Sequence, residues 1–214
     1  MERTITITGR GSLRLPPDRI ELPITLREED ADYAAALSKA GEALSGLTEA
    51  LEAAGFKAEE LRETEFSVSP AYDSVDDGRG RYRQVFRAYE CRRELCLRFE
   101  LDRGRLARAV EALASCPAGP EINVRYTLRD PEAAKSALLA KAAQDARAKA
   151  EALCAASGVR LGLLMQVRCG MPEPELYSNS HMRLAAKMSM DSFSGLSPEE
   201  IEVEEEVAFI WEIR

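Results

Sequence analysis

Ile20, Leu22, Ile24 and Leu26 alternate with Glu21, Pro23, Thr25 and Arg27. Successive side chains of a β-strand point to opposite faces, so this segment has one apolar side and one polar side. The pattern recurs at Ile5 and Ile7, at Phe66 and Val68, and at Leu95, Leu97 and Phe99. It returns at Ile122, Val124, Tyr126 and Leu128, and closes the chain at Val203, Val207, Phe209, Trp211 and Ile213. Strands with a single apolar face belong to an antiparallel or mixed sheet covered on one side.

Three helices are predicted between these strands. The first runs from about Ala31 to Ala54 and stops at Gly55, with Leu37, Ala40, Leu44, Leu47 and Leu51 as its apolar stripe. The second is short, Leu106 to about Ala114. The third begins at Pro131, a favoured first-turn residue, behind Asp130 as N-cap, and runs to Ser157 before Gly158. Ala134, Leu138, Ala142, Ala146, Lys149 and Leu153 form its expected stripe, and the alanines permit close approach to a sheet. Pro23 inside a strand pattern predicts an edge position or a bulge, and Gly9-Arg10-Gly11 reads as a turn or bulge.

The order of elements repeats. IELPITLRE at Ile20–Glu28 is matched by INVRYTLRD at Ile122–Asp130, 102 positions later, and each is followed by a long helix and two strand patterns. The expected fold class is α+β: a mixed or antiparallel sheet covered on one face by two long helices, built from duplicated β-α-β-β units. The repeats would span residues 15–101 and 121–214 of a single domain, 1–214. Ala71 to Arg81 reads as a hairpin tip, and residues 170–198 as a long loop in which Met182 to Met190 forms a short helix.

A chain of 214 residues with 45% hydrophobic and 31% charged residues has enough apolar surface for an ordinary packed core. Its net charge of −8 argues against nucleic-acid binding, which needs a basic field. No apolar run approaches the roughly 18 residues of an integral membrane span. The start, Met1-Glu2-Arg3-Thr4-Ile5, passes straight into strand alternation without the apolar run of a secretory signal, so a cytoplasmic address is expected for the chain as given, unless a signal has been removed. Five cysteines with no CxxC pair suit reduced, buried thiols, with Cys91 and Cys96 on opposite faces of a strand.

No triad, nucleophile elbow or dinucleotide fingerprint is present, so no catalytic residue and no cofactor is expected. His181, Met182, Met188 and Met190 are the candidate soft-metal ligands, with a chemistry suited to copper(I); against this stands their reading as apolar anchors for the long loop. Charge is unevenly spread: Arg79 to Arg105 holds nine arginines against four acids, while six of the eight residues Glu199–Glu206 are glutamate. Arg87, Arg92 and Arg98 on one strand and Glu202, Glu204 and Glu206 on the other are therefore candidate interaction residues, facing each other within a sheet or across a subunit contact that weakens with salt.

Four stretches together resemble the SIMPL domain family, bacterial proteins related to the periplasmic immunogenic protein of Brucella, with a eukaryotic branch named for a kinase-associated signalling molecule. They are ITITGRGSLRLPPDRIEL at Ile5–Leu22, TEFSVSPAYD at Thr64–Asp73, DARAKAEALCAASGVRLG at Asp145–Gly162 and IEVEEEVAFIWEI at Ile201–Ile213. The resemblance implies an α+β fold, no established enzyme activity, frequent export, links to oxidative stress or envelope functions, and ring-like homo-oligomers. The chain departs from the pattern in its start and in the arginine- and cysteine-rich stretch Arg79–Cys96. The expected function is a non-enzymatic, self-assembling scaffold or interaction protein; the alternative is a small-molecule or soft-metal binding module with the 170–198 loop as its lid.

Overall fold

The computed structural model describes residues 3–76, 82–169, 177–180 and 198–214. Its elements, in order, are β1 (Thr4–Leu15), β2 (Arg19–Asp30), α1 (Tyr33–Ala53), a 3-10 turn (Ala58–Glu60), β3 (Leu61–Asp76) and β4 (Tyr82–Glu100). Then come α2 (Arg103–Ala114), β5 (Glu121–Ile122), β6 (Val124–Thr127), α3 (Pro131–Ala156), β7 (Leu161–Cys169), β8 (Tyr177–Ser180) and β9 (Ile201–Ile213). The chain is α+β, as its alternations require. The helix starts follow the capping signals: Asp32, Asp102 and Asp130 each accept a backbone N–H from three residues ahead.

The strands form two antiparallel sheets rather than the one continuous sheet expected from the repeat, and the chain divides into two compact units. One unit contains the sheet β1-β9-β7 with α3; the other contains β3-β4-β2 with α1, α2 and β5. The second sheet runs in the order β3-β4-β2-β6-β8, with β5 also on β2. In each unit the last strand of a β-α-β-β run, β4 or β9, is an interior strand flanked on both sides. The strand beside it differs in origin: β2, from the same run, flanks β4, whereas β1, from the chain start, flanks β9. The repeated INVRYT segment is hydrogen-bonded to β2 as β5 and β6.

In the β2–β4 unit the predicted apolar face is the core. Ile20, Leu22, Ile24 and Leu26 are fully buried, paired across with Phe99, Leu97, Leu95 and Arg93. They pack under Leu47 and Leu51 of α1 and Leu106, Ala109 and Leu113 of α2. Burial of each such side chain stabilises by about 1.5–3 kcal/mol relative to exposure. Pro23 sits in this interior strand, in unbroken register with Cys96, not at an edge. The consequence falls on its other neighbour: Asn123 N–H donates to the Pro23 carbonyl at 3.0 Å, proline has no N–H to return, and the strand is interrupted there between β5 and β6.

In the β1–β9 unit the helix lies directly on the sheet. Gly9 and Gly11 are not a turn; they stand within a continuous twelve-residue strand with regular register to β9. A Cβ on Gly9 would lie 2.0 Å from the Ala142 carbonyl oxygen, and one on Gly11 would lie 2.2 Å from that of Leu138. The glycines exist to admit the α3 backbone. The buried row of α3 is Ala134, Leu138, Ala142, Ala146, Ala150 and Cys154, so the expected Lys149 and Leu153 are replaced by their neighbours. A row of i+4 steps runs oblique to the helix axis by roughly 26°, which lets the contact follow a twisted strand pair.

The same helix seals the open edge of β1. Lys149 Nζ donates to Thr8 O at 3.4 Å, Asp145 accepts from Arg10 N–H at 2.7 Å, and Lys141 Nζ donates to Ser12 O at 3.0 Å. Four residues of helix rise about 6 Å and two residues of strand about 6.7 Å, so the two ladders stay in step. Three helical side chains thereby supply the partners that a neighbouring strand would have supplied.

Candidate functional site

Where α1 ends its cover, β3 and β4 continue as an arm. From Tyr72 to Asp76 and from Tyr82 to Arg87 every described residue is exposed. The arm carries Tyr72, Val75, Tyr82, Val85 and Phe86, with Tyr82 at 75% the most open of them. Tyr72, Phe86, Tyr89 and Tyr33 form a row of edge-on rings at 6.1, 5.1 and 5.3 Å between centroids. The row starts on the arm and ends on the first turn of α1, so the arm has an aromatic spine but, among the described residues, no covering layer.

Arg87 fixes the arm's root. The β3–β4 register shifts between Ala71, opposite Ala88, and Tyr72, opposite Phe86, and leaves Arg87 as the extra residue of a bulge. Its guanidinium grips Glu29 on β2 with both terminal nitrogens at 2.8 Å and reaches Asp73 on β3 at 3.3 Å. One side chain thus ties three strands together. It also offsets the direct opposition of Glu29 and Glu90 across β2 and β4.

The other charged candidates find partners close at hand. Arg98 bonds Glu21 directly across the strand pair at 2.9 Å, and Arg92 bonds Glu94 at 2.5 Å, although Arg92 Nε is buried without a partner and its cross-strand neighbour is Arg27. Glu202 takes Arg14 at 3.0 Å and Glu204 takes Arg10, with Glu206 opposite Arg10 in register. These contacts with Glu204 and Glu206 hold the Arg10 guanidinium above its usual range. The arginine-rich strand β4 and the glutamate-rich strand β9 stand in different sheets. His181, Met182, Met188 and Met190 lie outside the described residues.

All five cysteines are free, four of them buried and Cys169 exposed. Burial pushes the Cys91 and Cys96 thiols up, which removes them from nucleophilic work. A cleft of about 290 Å³ between α1 and the turn after α2 is lined by Glu28, Lys39, Glu42 and Cys116 among others. Lys39 is held there by Asp30 at 2.7 Å.

Strand, Gly-x-Gly crossing, alanine-rich helix and closing strand are now placed in one architecture. A family model described as SIMPL, a protein of unknown function (DUF541), matches residues 5–211. The chain belongs to the SIMPL family. No curated protein matches it. In this SIMPL chain the family match runs across both units, so the arm and the helix-sealed sheet lie within the matched region. No described helix of the SIMPL chain is long and apolar enough to cross a membrane.

The arm was only partly legible beforehand. Phe66 and Val68 marked β3 and Leu95 to Phe99 marked β4, but the outer halves lack one-sided alternation because neither face is buried. The usable signal was the content of the two flanks: Tyr72 and Val75 before the acidic, glycine-containing run at 76–80, and Tyr82, Val85 and Phe86 after it.

Proposed function

We propose that this SIMPL chain is a non-catalytic protein that works by assembling with itself and offering the assembled surface to partners. The observation that carries this reading is the β3–β4 arm, where Tyr72, Phe86 and Tyr82 are exposed on one face and Val75 and Val85 on the other, with no described helix over either. Exposed aromatic surface of that kind is characteristic of contact sites. Arg87 makes the arm stiff enough to present its rings in one geometry, which lowers the ordering cost of association. Arg10, Arg14, Arg87 and Arg98 already have carboxylate partners within their units, so the contact is chiefly apolar and its salt dependence modest.

Light scattering over a concentration series tests this. The expected result is a mass that is a multiple of 23.6 kDa, reduced when Phe86→Asp and Tyr82→Ser are combined. A wild-type chain that stays monomeric throughout the micromolar range overturns the reading.

A further inference from the structure

The three acids that end β2 are unequally matched. Glu29 is gripped by Arg87 at 2.8 Å and Asp30 by Lys39 at 2.7 Å. Glu28, half-buried, follows Ile24 and Leu26 on the inner face of the strand and has no ion pair among the described residues. On α1, Glu42 accepts from the Ser38 hydroxyl at 3.3 Å and likewise has no cationic partner among the described residues. Both acids line the cleft of about 290 Å³ between α1 and the turn after α2. Its apolar wall is the flank of the main core: Cys116 belongs to that core, and Ala43 and Ala118 pack against it. Gly46 lines the same cleft, and a Cβ there would meet nothing within 4 Å.

We propose that this cleft binds a small organic cation, a primary ammonium group on a short apolar body. A cavity of roughly 150 Å³ already takes benzene, so this one has room for a ring and a one-carbon ammonium arm. The apolar body displaces water from the wall formed by Ala43, Gly46 and Ala118, while the ammonium donates to Glu28 and Glu42. An anion meets two carboxylates of its own sign, and a bare metal ion gains nothing from the apolar wall. Lys39 also lines the cleft, but its ammonium is committed to Asp30 and to the Glu29 carbonyl at 3.4 Å. Asp30 is the main cause of its raised pKa, and Glu28 acts on it more weakly, through space. Two carboxylates therefore stand in the cleft against one cation that is already matched. The site is independent of the arm and of whether the chain assembles.

Saturation-transfer NMR on the full chain tests this with three probes of one shape: benzylammonium, benzyl alcohol and benzoate. The expected result is saturable binding of benzylammonium with a Kd in roughly the millimolar range, binding of benzyl alcohol weaker by about fivefold or more, and none of benzoate. Glu28→Gln combined with Glu42→Gln should weaken benzylammonium by about fivefold to tenfold. Gly46→Leu should abolish its binding by filling the cleft. That variant keeps both carboxylates, so it separates the cleft from a general attraction of cations to an acidic chain. Leucine is also the better helix former, so an unchanged urea midpoint or a higher one shows that the loss is not unfolding. Absence of saturable benzylammonium binding up to about 20 mM overturns the proposal. So does benzoate or benzyl alcohol bound as tightly as benzylammonium, and so does binding that survives in Gly46→Leu.

Discussion

Gly9 lies so close beneath Ala142 that its missing side chain is the reason the helix can rest on the strand: a Cβ there would stand 2.0 Å from the Ala142 carbonyl oxygen and 2.6 Å from the Ala146 Cβ. Both obstacles are rigid, so the overlap cannot be relieved by a side-chain rotation. Gly9→Ala is expected to cost about 3 kcal/mol, the upper part of the usual range for overpacking. The control is Gly41→Ala on α1, where nothing lies within 4 Å; a helical glycine replaced by alanine gains roughly 0.5–1 kcal/mol. Urea unfolding of the two variants should move in opposite directions.

Asp145 substitutes for a strand by accepting the Arg10 N–H at 2.7 Å. Its carboxyl is held below the ordinary range by Lys149 and by that N–H. Asp145→Ala removes the acceptor and opens the β1 edge. Hydrogen exchange should show the Arg10 amide losing protection, while amides of β9 that bond inside the sheet keep theirs. Equal exchange at Arg10 in both proteins would mean that the ladder is incidental.

Glu205 faces Gly11 across β1 and β9, on the side of the sheet where Val203 and Val207 are buried. It is half-buried, and it separates the apolar cluster around Ile201 and Val203 from the one around Val207 and Phe209. Glu205→Val should join the two and raise stability by about 1 kcal/mol, read as a higher denaturation midpoint.

Glu60 accepts from Arg105 Nη2 at 2.8 and 3.0 Å, and the same guanidinium lies over the Phe56 and Phe99 rings at 4.8 and 5.2 Å. Arg105 holds the Glu60 carboxyl below its usual range. A carboxyl depressed on folding contributes stability that is present above the unfolded value, about 4.3, and is lost as pH falls through the lower folded value. Glu60→Gln should therefore cost about 1 kcal/mol at neutral pH. The gap to wild type should narrow as the pH drops below about 4. A gap independent of pH would contradict the assignment.

Arg87→Ala removes the clamp between Glu29 and Asp73 without touching the core. Because the guanidinium is 44% exposed, global stability should change little. Amides from Tyr82 to Ala88 should exchange faster, which local opening of the arm requires.

Local patterns carried much of this fold. The alternation at Ile20–Leu26 named its buried face residue by residue, and Asp130-Pro131 and Gly158 bounded α3 to within about two positions, the usual blur of helix ends. Short-range rules governed those features, since pleat and capping involve neighbours a few residues apart. They failed where the deciding partner was distant. Gly9-Arg10-Gly11 resembles a turn until Ala142 is seen lying on it, and Pro23 resembles an edge marker until its missing N–H is found to interrupt the neighbour at Asn123. β4 and β9 offer opposite charges as sheet neighbours would, yet long-range pairing puts them in different sheets. The amino-acid sequence by itself determined which faces are apolar and where helices begin, because those follow from periods of two and of three to four residues. Only the tertiary structure decided that β1, and not the repeated INVRYT strand, lies beside β9, because strand pairing joins backbone groups that every residue but proline offers alike and is settled by long-range packing.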